Sequence, residues 1–85
     1  PIPPLSGERR QQLIAQIKKM AEEQRVAVRN VRRDANKVID TEKKDSLMTE
    51  DDADRCKENI QELTKKFEKM IDDVLKAKTE EIEAV

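Results

Sequence analysis

The sequence predicts an all-α protein: a long antiparallel helical hairpin, two of the three helices of an elongated three-helix bundle. Three observations carry this. Neither the stretch from Glu8 to Lys44 nor that from Thr49 to Val85 contains Gly or Pro, so nothing interrupts either run. Within each run, apolar residues return three and four positions apart, the spacing of one helix face. Both apolar stripes are also wider than a two-helix contact can cover, which calls for a third helix.

Residues 1–5 read as a hinge or linker remnant, because Pro3 and Pro4 enforce extended backbone. Ser6 can then cap a helix of residues 6–44, with Glu8 near the positive end of its dipole and Lys43 and Lys44 near the negative end. Residues 45–48, Asp45-Ser46-Leu47-Met48, read as a turn. Thr49 followed by Glu50, Asp51 and Asp52 is a helix N-terminus with an acid three residues after the cap, which opens a second helix over 49–84. Helices of this length run about 50–60 Å at 1.5 Å per residue. So short a connection makes them antiparallel.

The seam of the first helix is expected along Ile14, Ile17, Ala21, Gln24, Val28, Val31, Ala35 and Val38. That of the second is expected along Cys56, Ile60, Leu63, Phe67, Met70, Val74 and Ala77, with Phe67 as a core anchor. Leu13, Met20 and Ala27 widen the first stripe, and Ile71, Leu75 and Ile82 the second. The missing third helix, or another chain, is the partner expected to cover this groove.

Composition narrows the function classes. The 85 residues allow one domain. With a single cysteine, Cys56, and no histidine, the chain has no intrachain disulfide, no Cys/His zinc set and no imidazole base. Asp51, Asp52 and Asp54 lack the Gly and the closing Glu of a calcium loop, so capping and dipole roles explain them. No nucleophile–base pair or Gly-rich phosphate loop is present, so the expectation is a non-enzyme without cofactor or metal. No apolar run approaches the roughly 20 residues that span a bilayer, which fits a soluble intracellular protein with no membrane partner. The opening Pro1-Ile2-Pro3-Pro4, without an initiator Met, suggests an excised piece of something longer.

Charge is 44% of the chain but nets to only −1, so local ordering matters more than the balance. At about 100° per residue, Lys18, Arg25, Arg29 and Arg32 fall within roughly 60° of one another, with Arg33 about 40° beyond Arg29. Four arginines, Arg25, Arg29, Arg32 and Arg33, are thus the candidate RNA-binding residues, because guanidinium forks suit phosphate oxygens and a rigid helix spaces them. The competing reading pairs them with Glu22, Glu23 and Asp34, or with acids of the second helix, as ordinary surface charges. Favouring RNA, only arginine supplies the positive charge between Val26 and Asp34, and the expectation is that the acids collect far away, around Asp51, Asp52 and Asp54.

Val26 to Asn36 reads Val-Ala-Val-Arg-Asn-Val-Arg-Arg-Asp-Ala-Asn, which closely resembles the most recognisable stretch of the ribosome recycling factor family. Upstream, Ile2-Pro3-Pro4-Leu5 with Glu8-Arg9-Arg10 is similar to that family's re-entry from a small β-rich domain into its helical bundle. Downstream, Thr49-Glu50-Asp51-Asp52 resembles the start of the family's last helix. The resemblance implies a three-helix domain whose first helix and inserted β domain lie outside this sequence. It implies binding to large-subunit ribosomal RNA and, in the intact factor, the splitting of post-termination ribosomes together with elongation factor G. Arg32 matches the family position tied most closely to RNA contact and Arg29 a neighbouring one. A bacterial cytoplasm, or the stroma or matrix of an organelle, is the implied location. The alternative function is a structural coiled-coil protein–protein interaction module.

Overall fold

The computed structural model describes residues 5–84. Residues 1–4, where most of the expected linker falls, lie outside the described residues. Helix α1 spans Gly7–Lys44 (38 residues) and α2 spans Glu50–Ala84 (35 residues). They form a rod of 66 × 15 × 15 Å whose long-range contacts are all between these two helices. The fold is the expected helical hairpin.

Each helix end is closed by the residues that its sequence offers. Ser6 keeps an extended backbone and its hydroxyl accepts the Arg9 N–H at 3.1 Å, satisfying one of the unpaired first-turn donors. Thr49 does the same for α2, accepting the Asp52 N–H at 3.1 Å, with Glu50, Asp51 and Asp52 in the positive first turn. Between them the exit of α1 is a Schellman closure: the Ser46 N–H donates to the Lys43 carbonyl at 3.1 Å and the Leu47 N–H to the Glu42 carbonyl at 2.9 Å. The reversal puts Ser46 at φ 63°, the left-handed region that usually takes glycine.

The helices meet along Ala21 and Ile39 of α1 and Ala53 and Thr64 of α2, the four buried residues among those described. Two are alanines, which let the backbones approach. Thr64 keeps its buried hydroxyl satisfied by donating it to the Ile60 carbonyl at 2.8 Å. Ile14, Ile17, Val28 and Ala35 flank this line on α1, and Ile60, Ile71, Leu75 and Ile82 on α2, all half-buried.

That line keeps Ala21 of the expected seam, with Ile14, Ile17, Val28, Ala35 and Ile60 beside it, and corrects other members. Val31 is 68% exposed, Val38 58%, Val74 59% and the supposed anchor Phe67 49%. The periodicity located the centre of each wide stripe, but two helices alone touch at the edges of their stripes. The centres then face a shared groove. One stretch of it, a concavity of about 480 Å³, is lined by Ile17, Met20, Val28, Phe67, Met70 and Val74 among others. A second of about 390 Å³ shares Val28 and Phe67 and continues along Val31, Ile60 and Leu63.

The turn supplies a direct stability test. Ser46→Gly removes the left-handed penalty on a side chain, partly offset by the freer unfolded chain, and should stabilise the hairpin by about 0.5–1 kcal/mol in urea denaturation. An unchanged or lowered midpoint would mean that the Ser46 backbone is not held at positive φ.

Candidate nucleic-acid interface

Because both helices are uninterrupted, the turn fixes which residues lie opposite. Arg25 meets Asp72, Arg29 meets Glu68, and Asp40 meets Lys57, each pair equidistant in sequence from a point midway between Met48 and Thr49. Lys43 and Glu50 close the series beside the turn at 3.6 Å. These four interhelical ion pairs lie along the face opposite the apolar groove. The rod therefore has one open apolar side and one side laced by charge.

Arg25 is the most tightly held member. Its Nε and Nη2 both donate to Asp72 Oδ1, at 3.0 and 2.6 Å, while Nη1 donates to Glu22 Oε2 at 3.0 Å. The hydrogen bonds from Asp72 first, and then from Glu22, raise its pKa further above the ordinary guanidinium value against a smaller opposing effect of desolvation. Only 21% of the side chain is exposed. Arg29 is held more loosely, with Nε 3.4 Å from Glu68 Oε1 and Nη1 4.0 Å from Glu22 Oε1. Glu22 thus bridges the two arginines, one oxygen to each.

Arg32 and Arg33 differ. Among the described residues neither makes an ion pair or a hydrogen bond through its guanidinium. Arg33 is exposed, whereas Arg32 is half-buried and lies over the contact line, its side chain lining the groove beside Val28, Val31, Ala35, Ile60 and Thr64. An aliphatic stem lying against apolar neighbours with the guanidinium beyond it restrains the side chain without using its donors. Lys18, the remaining cation of the stripe, is exposed and makes no ion pair among the described residues.

The expectation that acids lie too far away to neutralise the stripe is therefore corrected. Glu22, Glu68 and Asp72 engage Arg25 and Arg29, and the four arginines divide into a paired set and an unpaired set. Helix periodicity could not reveal this, since Glu68 and Asp72 are 39 and 47 residues away in sequence from their partners. The position of the turn was the available signal: counting outward from it in both directions brings Asp72 to Arg25. Chemically, the unpaired guanidinium forks are the ones with donors available to phosphate oxygens. Among the described residues no group of three or more acidic, Cys or His side chains converges to hold a metal ion.

Residues 1–82 match the sequence model of a family described as ribosome recycling factor. The ribosome-recycling factor of Carboxydothermus hydrogenoformans is 52% identical over 81 residues, covering 95% of this chain and 44% of that protein. Those of Symbiobacterium thermophilum and Halalkalibacterium halodurans are 46% and 51% identical over the same coverage. The chain thus spans less than half the length of these relatives.

If Arg25 is a structural tie between the helices, Asp72→Asn should lower the melting temperature, and the loss should shrink as salt is raised because the pair lies near the surface. A double-mutant cycle of Arg25→Gln with Asp72→Asn should be non-additive; strict additivity would show that the two side chains act independently.

Proposed function

This chain belongs to the ribosome recycling factor family, and from that premise we propose that it is the part of such a factor that grips ribosomal RNA of the large subunit. The observation that carries the reading is the pair of unpaired guanidinium groups, Arg32 and Arg33, in mid-helix on a long rigid rod. A rod of 66 Å can lie along a folded RNA surface and present donors at fixed spacing. Arg29, with a long bond to Glu68, exchanges that carboxylate for phosphate more readily than Arg25, which is gripped by two acids. Arg32 and Arg33 are accordingly the principal contacts, Arg29 an auxiliary one and Arg25 mainly a helix tie.

The action of the whole factor is binding and force transmission, with no catalysis of its own. In that reading it splits post-termination ribosomes with elongation factor G, whose GTP hydrolysis supplies the energy. A further helix of the intact factor covers the groove of Met20, Val31, Val38, Leu63, Phe67, Met70 and Val74, completing a three-helix bundle. The relatives are more than twice as long as this chain, which leaves room for that helix and for another domain. The location is the bacterial cytoplasm, as in the organisms of the relatives, with an organelle stroma or matrix as the alternative. Among the described residues no helix is long and apolar enough to cross a membrane.

The exposed groove favours a second reading, a structural module that binds another protein through apolar contact. Salt separates the two, because release of phosphate counterions makes RNA binding fall steeply as salt rises. Binding of the chain to purified large ribosomal subunits should weaken strongly between two salt concentrations, and Arg32→Ala should lose about 1 kcal/mol or more, the scale of a charge-assisted contact. Salt-insensitive binding that Arg32→Ala leaves intact would favour the protein-binding module instead.

A further inference from the structure

The interhelical charge ladder has one rung of the wrong sign. Arg25 opposite Asp72 and Arg29 opposite Glu68 show that a step of four along α1 matches a step back of four along α2. Asp40 opposite Lys57 shows that the register holds further along the rod. Between these points, the next step of four from Arg29 reaches Arg33, which comes level with residues 64 and 65. Position 64 is the buried Thr64, so the surface residue of that rung is Lys65.

Both residues are on the laced face. Arg33 lies about 40° outward from Arg29, and Lys65 about 60° outward from Glu68, each turned away from the helix contact toward the same side of the hairpin. Both are exposed. Among the described residues neither makes an ion pair, Arg33 not with the adjacent Asp34 and Lys65 not with Glu62 or Glu68, the acids three positions to either side of it. Four rungs of this face join opposite charges; this one sets two cations level across the helix contact, where they repel. An anion between them converts that repulsion into two attractions.

We infer that Arg33 and Lys65 form a two-helix anion site that takes a backbone phosphate of ribosomal RNA, making Lys65 of α2 part of an interface otherwise built on α1. The inference rests on the RNA-binding reading of the arginine stripe and extends it across the hairpin. It gives the ladder a functional gap: the rungs on either side fix the register, and the middle rung stays open for ligand. Lysine suits the position, since a flexible point charge can follow a phosphate whose place is already fixed by neighbouring arginine forks.

The test uses the full chain and purified large ribosomal subunits, with Lys65→Glu, Lys65→Gln and, as a control of equal charge change about 100° round the helix, Lys66→Glu. Lys65→Glu should raise the melting temperature by about 1–3 °C by restoring an opposite-charge rung. The same variant should weaken subunit binding by about tenfold, while Lys66→Glu changes it by less than about threefold. Lys65→Gln should reduce the slope of log affinity against log salt by about one, the loss of one phosphate contact. A melting temperature that stays the same or falls in Lys65→Glu overturns the like-charge rung. Equal binding losses in Lys65→Glu and Lys66→Glu, or none in either Lys65 variant while Arg32→Ala still weakens binding, overturn the anion site and leave the RNA reading standing. If Arg32→Ala and wild type bind alike with no salt dependence, the RNA reading itself fails and the site falls with it.

Discussion

The register between α1 and α2 decides which charges of this chain meet, and the turn sets that register. Two caps, Asp45 and Thr49, separated by three residues do the work: the Schellman closure through Ser46 and Leu47 ends α1, and the Thr49 hydroxyl starts α2. With neither helix interrupted, every residue thereafter has a determined opposite number. The Arg25–Asp72 bond, 47 residues apart in sequence, is a consequence of a bend at residues 45–49. Surface ion pairs contribute little stability singly. Here their larger effect is selective, since a slip of register would separate all of them together.

The same geometry gives the rod two unlike sides. Helices in contact along Ala21, Ile39, Ala53 and Thr64 bury little, and the bulkier groups of the pattern, Met20, Val31, Phe67, Met70 and Val74, are left facing the groove. A hairpin built for itself would put these large side chains in the contact and the alanines outside. The opposite arrangement is what a helix pair needs when a third element is to sit between them, with small residues allowing close approach of the first two. Arg32 lies where these sides adjoin, its stem against the groove and its guanidinium unpaired. Packing on the groove thereby restrains a residue of the proposed RNA-binding face.

Much of this was legible in the residues themselves. Ser6 and Thr49 are capping residues in a capping context, and the runs after them contain nothing that stops a helix, so the hairpin followed from local chemistry. Val26–Asn36 carries the resemblance to ribosome recycling factors, and the match to the family's sequence model over residues 1–82 agrees with it. The excess width of the apolar stripes was visible as well. Their periodicity did not tell which edge of each stripe would make the contact, because a repeat of three and four marks a direction on one helix and says nothing about where its neighbour stands. Phe67 therefore read as a core anchor and is half exposed.

What the sequence determined by itself is whatever depends on neighbours along the chain: two helices, their ends, the turn, the angular grouping of Arg25, Arg29, Arg32 and Arg33, and the family. Only the tertiary structure decided which of those arginines are already occupied. Glu68 and Asp72 belong to another helix, and electrostatic attraction depends on distance in space, not on separation along the chain. That is why four similar positions on one helix face become two tied arginines and two free ones once the chain doubles back.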